Sequence, residues 1–418
     1  MRIDKQNESA LLIALTEAIQ GASVHSYGLI AFPERWEEQV KQTLDEDFRR
    51  SLYKHLDGGG LNSLARDFIA SKMHEEEIPF PSKTEQNEIG TRSLISYSQF
   101  SDPLSVARRI INKLKSAPVN YEVCTFALLH LSQRIPRDID IKISNRLRIV
   151  GEAAVPSEFK TFDHNPQLDH HLRTHNARSD AFRHIPEEKL YFFYKTSGLI
   201  TDRNRPKCFA DMYDDIRAFY GAAIAFDLLG YHPFFRDDLE IPVFANSTIG
   251  GEYKLEIVEE IEPDLHDASQ SYITEKVQKG LIEGKSLEEI LTPVIRLFGS
   301  PEFQRLRTSA IWLLRSFLSE RGMDRILDAT IAIEVLLGDR DASDRIGLSK
   351  LMANRCAYAL GKSASERKDL YDFFTNFYRL RSEIVHSGRL KLEEGEEKSV
   401  SKGVDLASQI LRHEVGMH

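Results

Sequence analysis

Apolar residues recur with two different periods along this chain, and the change falls near residue 271. Before that point, several short runs place an apolar residue at every second position, which is typical of strands that bury one face. After it, apolar residues return at every third or fourth position, as on the buried face of a helix. The pattern predicts an α+β N-terminal region followed by an all-α C-terminal helical bundle.

The first 75 residues are predicted to form a helical N-terminal segment. Helical spacing covers Glu8–Gln20 and Pro33–His55, and proline suits the first turn of a helix because its missing amide hydrogen is not needed there. The glycine run in Asp57–Gly60 predicts the end of the second helix. The polar, proline-containing stretch Glu75–Thr91 then predicts a loop or linker.

Residues 92–270 are predicted to form an α+β domain, for which we hypothesise a sensor or regulatory role. One helix is predicted over Cys208–Leu229, because the apolar residues there fall on one side. Short apolar runs predict strands at Tyr121–Leu129, Ile139–Ile143, Leu147–Val150, Leu190–Tyr194, Ile241–Ala245 and Tyr253–Val258.

Residues 271–418 are predicted to form the helical bundle, since strand patterns do not recur in them. The connections between the predicted helices are short, as neighbouring antiparallel helices require. These helices cover Glu275–Glu283, Leu287–Phe298, Glu302–Glu320, Asp324–Leu337, Ile346–Leu360, Ser365–His386 and Val400–Glu414.

The composition is typical of a soluble globular protein, with 41% hydrophobic and 28% charged residues among 418. The net charge of −9 argues against a global attraction to nucleic acid but leaves room for a local basic site. No apolar run approaches the roughly 18 residues of a membrane helix, so we expect no membrane partner. Cys124, Cys208 and Cys356 are too far apart for a disulfide framework or a paired-cysteine zinc site, which predicts a reducing, cytoplasmic location.

The candidate chemistry lies on the long helix predicted over Ser365–His386. At about 100° per residue, Tyr378, Ser382 and His386 fall on one side of it, and Arg381 flanks the opposite, apolar side. A core histidine would belong on the apolar face, so the position of His386 favours either a solvated residue or a functional one. The predicted apolar stripe consists of Phe373, Phe377, Leu380 and Ile384.

The sequence around Arg381 and His386 resembles the R-x(4–6)-H signature of the HEPN domains. The resemblance to the Apea-like HEPN subgroup covers roughly residues 300–415. Ser382 stands where the family more often has asparagine, histidine or aspartate after the arginine. Three upstream segments share the resemblance: Asp328–Leu337, Leu351–Ala357 and Leu370–Tyr371.

This resemblance implies a metal-independent endoribonuclease, in which the ribose 2′-OH attacks the adjacent phosphodiester. His386 would be the general acid and base, because an imidazole exchanges protons near neutral pH, and Arg381 would stabilise charge on the phosphoryl oxygens. Ser382 and Tyr378, on the side of His386, would support it, with Ser382 orienting the ring or the phosphate. Residues five apart on a helix point about 140° apart, and the resemblance implies a homodimer through the C-terminal bundle in which two motifs share a cleft.

Glu334 is a carboxylate within the apolar helical run Ile331–Leu336, where burial is costly unless the charge is paired. One interpretation is a buried salt bridge to Arg355 or Arg381. The other is that Glu334 orients Arg381 for catalysis. Either interpretation makes Glu334 a supporting residue of the candidate site.

A histidine-rich stretch argues only weakly for a metal. His171 and His175 have the spacing of a zinc-binding helix, but residue 172 is leucine where a zinc protease would carry glutamate. The basic stretch Arg203–Lys207 is interpreted as a solvated loop, with phosphate binding as the alternative. We expect no metal or cofactor and interpret as a polar surface loop the histidines His164, His170, His171, His175 and His184.

Two functions of different classes are compatible with these features. The first is an endoribonuclease effector of phage defence or toxin–antitoxin biology, with RNA as substrate and an antitoxin or another regulatory partner, a setting that the resemblance alone implies. The second is a non-catalytic HEPN module for dimerisation and RNA or nucleotide binding. The intact Arg381–His386 pair favours the first. A metal-dependent hydrolase built on the histidine stretch is a third, remote alternative.

Overall fold

The fold has an α+β N-terminal region and a helical C-terminal region, as the hydrophobic pattern predicts. Within the part of the chain that is described, strands lie before residue 261, and a single two-residue strand follows. The computed structural model describes residues 1–25, 29–56, 60–75, 78, 91–128, 135–160, 190–198, 207–231, 241–249, 252–339, 347–387, 391–393 and 395–417.

The N-terminal part places helices around a three-stranded antiparallel sheet. The first helix packs on the last one of this part, and Leu11, Leu15 and Ile19 are completely buried along it. The elements are α1 (Lys5–Gln20), β1 (Ser23–His25), β2 (Ile30–Ala31), α2 (Trp36–Thr43), α3 (Glu46–Leu56), α4 (Gly60–Glu75), β3 (Thr91–Ser93) and α5 (Pro103–Lys115).

The single helix predicted over Pro33–His55 is wrong, because α2 and α3 are separated at Leu44 and Asp45. Leu44 has an extended backbone (φ −85°, ψ 143°), which ends α2. The Asp45 carboxylate accepts hydrogen bonds from two backbone amides of α3, at 2.7 and 3.1 Å, and so caps it. Asn7 of α1 accepts a hydrogen bond of 3.1 Å from the Asp45 amide. A contact distant in sequence therefore fixes the break.

Six antiparallel strands form the main sheet, and all six predicted strands are confirmed. In chain order they are β4 (Val119–Leu128), β5 (Asp140–Lys142), β6 (Leu147–Gly151), β7 (Leu190–Gly198), then, after the short strand β8 (Leu229–Gly230), β9 (Pro242–Ile249) and β10 (Glu252–Glu260). Their spatial order is β10-β9-β4-β7-β6-β5. A separate two-stranded ladder pairs β8 with β11 (Tyr272–Ile273).

One face of the main sheet packs against a long helix that follows the short helix α6 (Ser157–Lys160) in the chain. This long helix, α7 (Lys207–Ala225), confirms the helix predicted over Cys208–Leu229. The ring of Phe192 on β7 meets Phe219 and Tyr220 of α7 edge-on, with centroids 5.2 and 5.6 Å apart. The apolar side of α7 is thus the side that covers the sheet.

The C-terminal region contains the seven helices that the sequence predicts, with ends displaced by about one turn at most. The start of the helix Leu287–Gly299 is fixed by a capping box of Ser286 and Glu289. Each of these side chains accepts a hydrogen bond from the backbone amide of the other residue. Among the described helices, none is both long and apolar enough to cross a membrane. After the short helix α8 (Pro263–Ser269), the seven helices are α9 (Glu275–Ile282), α10 (Leu287–Gly299), α11 (Phe303–Leu318), α12 (Gly322–Leu337), α13 (Leu348–Leu360), α14 (Ala364–Ser387) and α15 (Glu396–Met417).

Two clusters of buried apolar side chains divide the chain between Ala117 and Val119. The first cluster belongs to the N-terminal part and includes α5. The second runs from Val119 to Val415 and joins side chains of the main sheet, α7 and the C-terminal helices. The predicted α+β and helical segments therefore share one core, although the sequence pattern changes between them at residue 271.

Candidate functional site

The candidate residues Tyr378, Arg381, Ser382 and His386 lie on the C-terminal half of α14. Phe373 was predicted to be in the buried stripe of this helix, but it is only half-buried, and the fully buried residue is Phe374. The buried face is broader than one stripe because α14 packs on both α12 and α13. It consists of Phe374, Phe377, Leu380 and Ile384.

Arg381 lies beside Glu334 of α12. Arg381 Nη2 is 3.9 Å from Glu334 Oε1, and the two side chains are 24% and 23% exposed. The other predicted partner, Arg355, instead donates hydrogen bonds to the Leu337 carbonyl (2.8 Å) and to Asp339 (3.1 Å). Of the two alternatives for the half-buried Glu334, the structure therefore shows the contact with Arg381.

This ion pair leaves hydrogen-bonding capacity unused. Its 3.9 Å separation is beyond hydrogen-bonding distance, and among the described residues neither Arg381 Nε nor Glu334 Oε1, although buried, has a hydrogen-bond partner. A buried polar atom without a partner costs about 1–3 kcal/mol. The Nε atom itself is buried, so an anionic ligand would contact Arg381 through the exposed quarter of its side chain.

Tyr378 completes a three-residue cluster with Arg381 and Glu334. The Arg381 guanidinium lies 5.7 Å from the centre of the Tyr378 ring, and this ring stacks on Phe374 with centroids 6.0 Å apart. Burial raises the pKa of Tyr378, and so do the charge of Glu334 and a hydrogen bond to it, while Arg381 opposes them. Tyr378 therefore remains a neutral hydroxyl near physiological pH.

His386 lies in the last turn of α14, on the side opposite the buried face, and is exposed. Tyr378 and Ser382 were predicted to share this outward side, but both are half-buried. Five residues along a helix correspond to a rise of about 7.5 Å and a turn of about 140°. The structure thus brings together Arg381, Glu334 and Tyr378, and it leaves His386 facing outward from the same helix.

The other candidate sites of the sequence lie mostly outside the described residues. These include the five histidines between residues 164 and 184, and residues 203–206 of the basic stretch. Within the described ranges, no group of three histidine, cysteine, aspartate or glutamate residues is arranged to hold a metal ion.

An apolar cavity lies where the main sheet, α7 and α10 meet. Leu190, Phe219 and Leu291 are among its lining residues, all of which are apolar. A cavity of this composition offers no group for acid–base chemistry or for binding a phosphate.

Sequence reasoning missed a buried polar cluster around Asp215 of α7. Asp215 lies on the packed side of its helix, between the buried residues Tyr213 and Ile216. A carboxylate among apolar helical positions is the signal that singled out Glu334, and it could have been applied to Asp215 as well.

The comparisons with known proteins found no relative. No family model, no curated protein and no solved structure matches this chain. The functional argument therefore rests on the residues and on their geometry.

Proposed function

We propose that this protein is a metal-independent endoribonuclease of the HEPN type. The observation that carries the proposal is the half-buried Arg381, held beside Glu334 on the same helix as the outward His386. A fixed guanidinium and a solvent-accessible imidazole are the two groups that cleavage by the ribose 2′-OH requires. The resemblance to the R-x(4–6)-H signature supports the same assignment.

In this reaction the 2′-oxygen forms a bond to phosphorus, and the bond from phosphorus to the 5′-oxygen breaks. His386 accepts the proton of the 2′-OH, and an imidazolium delivers a proton to the departing 5′-oxygen. Arg381 donates hydrogen bonds to the phosphoryl oxygens, on which negative charge grows. Glu334 and Tyr378 hold the guanidinium of Arg381, and Ser382 orients the ring or the phosphate. No metal enters these steps.

The active form in this proposal is a homodimer through the C-terminal bundle. Arg381 and His386 of one α14 point in different directions. In a dimer, a second copy would bring its own Arg381 and His386 to the same phosphate. Val385, beside His386, is 48% exposed, so an interface there would cover an apolar side chain. An effector of this kind acts on cytoplasmic RNA in phage defence or as a toxin, with an antitoxin or another regulatory partner.

The test is cleavage of total RNA by the purified full-length chain in the presence of EDTA. We expect cleavage by the wild-type protein and cleavage about 10²–10⁴-fold slower by His386→Ala. Arg379→Ala is a matched control for Arg381→Ala, because Arg379 is a well-exposed arginine on the same helix that pairs with Glu383. Cleavage that stops with EDTA would contradict the proposal.

The second candidate function is a non-catalytic module for dimerisation and RNA or nucleotide binding. The half-burial of Arg381 against Glu334 is the observation that favours it, because a paired arginine can be structural. Binding of RNA without any cleavage, lost in Arg381→Ala but kept in His386→Ala, would establish this function instead.

A further inference from the structure

A buried carboxylate joins the main sheet to the helical bundle at Asp215 of α7. Tyr194 on β7 donates a hydrogen bond of 2.9 Å to Asp215 Oδ2, and Arg307 on α11 places its Nε 2.6 Å from Asp215 Oδ1. Asp215 is 7% exposed and Tyr194 is 1% exposed. One carboxylate of α7 thus contacts both a strand and a bundle helix.

Other charges surround this carboxylate. Arg307 also donates a hydrogen bond of 2.9 Å to the Asp211 carbonyl and lies 3.8 Å from the Asp214 carboxylate. Arg146, in the turn before β6, lies 3.6 Å from the Asp211 carboxylate. Burial raises the pKa of Asp215 in spite of Arg307. Burying a charge costs desolvation free energy. The best-attested use of a buried ionic group is to fix one packing arrangement.

The same two helices touch backbone to backbone at Gly221. A Cβ at this position of α7 would overlap the carbonyl oxygen of Ala310 on α11. A contact between small residues sets the distance between two helices but does little to fix their register. The hydrogen bond from Tyr194 to Asp215 and the ion pair of Asp215 with Arg307, one to two turns away, fix the register and rotation of α11 relative to the sheet.

From α11 the connection continues to α12. Ser309 Oγ donates a hydrogen bond of 2.9 Å to the Ala332 carbonyl, and Arg305 Nη1 donates one of 2.8 Å to the Leu336 carbonyl. These two carbonyls belong to the residues two before and two after Glu334. α11 therefore holds α12 on both sides of the residue that contacts Arg381.

We propose that Tyr194, Asp215 and Arg307 are positioning residues for Arg381. They fix α11 against the sheet, and α11 fixes Glu334 through α12, so a displacement of the sheet changes the position of Arg381. The catalytic consequence rests on the proposed function, whereas the mechanical connection from the sheet to α12 does not. The sheet-bearing segment regulates the site through this connection.

The test compares two buried tyrosines in the full-length protein. Tyr194→Phe removes the hydrogen bond to Asp215 and keeps the ring. Tyr220→Phe is the matched control, because the Tyr220 hydroxyl is also buried but donates to the Ala127 carbonyl on β4. Hydrogen exchange of the backbone amides of residues 332–337 is measured in both variants, after correction for any change in the global free energy of unfolding. RNA cleavage is measured in parallel.

We expect exchange at residues 332–337 to accelerate in Tyr194→Phe by about twofold to thirtyfold, and kcat to fall within the same range at unchanged KM. Tyr220→Phe should alter neither. Equal exchange in the two variants would overturn the inference, whatever the wild-type protein does to RNA. Faster exchange in Tyr194→Phe with an unchanged kcat would overturn the claim that these residues position Arg381. Faster exchange in a protein that never cleaves RNA would support the connection and overturn the proposed function.

Discussion

Arg305 on α11 and Glu414 on α15 form a salt bridge of 2.9 Å between helices that are far apart in the sequence. Glu414 is almost completely buried, and Arg305 is about one-third exposed. Because the same guanidinium donates to the Leu336 carbonyl, one side chain joins α11, α12 and α15. Arg305 lies one turn before Ser309 on α11. The Leu336 carbonyl that it contacts is near the C-terminal end of α12, two residues after Glu334.

Replacing Arg305 should destabilise the bundle. Arg305→Met keeps an apolar stem but leaves the buried Glu414 carboxylate without its cation, so we expect the free energy of unfolding to fall by about 1–3 kcal/mol. Urea denaturation measures this change. The control is Arg379→Met, which removes an exposed pair with Glu383 and should cost about 0.5 kcal/mol or less. An equal loss of unfolding free energy in the two variants would contradict a stabilising role for the buried salt bridge of Arg305 and Glu414.

The catalytic prediction concerns His386 and Arg381 together. His386→Ala should lower the rate of RNA cleavage by about 10²–10⁴-fold without unfolding the protein, because His386 lies off the buried face. Arg381→Ala should cause a similar loss, and the double variant should lose much less than the product because both residues serve one transition state. Single-turnover cleavage of a labelled RNA measures all three rates.

The same assay distinguishes the chemistry. DNA of the same sequence should survive, because it has no 2′-OH to attack. Cleavage that persists in the double variant would place catalysis at another site in the chain.

Glu334→Gln should lower the pKa of Tyr378. The negative charge of Glu334 adds to the effect of burial in raising this pKa, so its removal shifts the pKa back toward the usual value, though burial keeps part of the shift. The titration is measured by NMR of protein labelled with ¹³C at the tyrosine rings. Glu383→Gln, on the same helix as Tyr378, is the control and should leave this titration unchanged.

Glu289 should give the start of α10 a pH-dependent stability. Its hydrogen bonds to Ser286 lower the pKa of this carboxyl below the usual 4.5. The stabilisation is therefore fully present above the unfolded-state pKa and is lost as the pH falls through the lowered, folded-state pKa. Urea denaturation should show Glu289→Gln to be less stable than the wild type at pH 7, with the difference vanishing near pH 2. A constant difference between these pH values would contradict the capping role.

The sequence was sufficient to predict elements whose pattern is local. Alternation found the strand Asp140–Lys142, because its side chains are alternately exposed and buried. Short apolar runs found Leu147–Gly151 and Leu190–Gly198, which are mostly buried on both faces where the runs lie. The break at Asp45 escaped the pattern, since it depends on a hydrogen bond from its amide to Asn7. Helical spacing likewise placed α14 but favoured Phe373 over Phe374, because periodicity does not reveal how many neighbours a helix has.

The candidate site shows the same division between local and tertiary information. That Glu334 needs a cation follows from its apolar surroundings, and the sequence left Arg355 and Arg381 as alternatives. Only the packing of α12 against α14 distinguishes them, since Arg355 is used by the Leu337 carbonyl and Asp339. The same signal was present at Asp215, but its partners, Tyr194 and Arg307, could not be named from the sequence, because they lie on a strand and a helix about 20 and 90 residues away.

The shared core from Val119 to Val415 sets where the chain can be cut for expression. A fragment that began at residue 271 would keep every bundle helix but would lack α7, whose Gly221 sits against Ala310. The face of α11 that α7 covers would then be open to water, and Arg307 would lose its carboxylate. A fragment that began after Ala117 would keep the main sheet, α7 and the bundle together, and it is therefore the fragment to prefer for crystallisation.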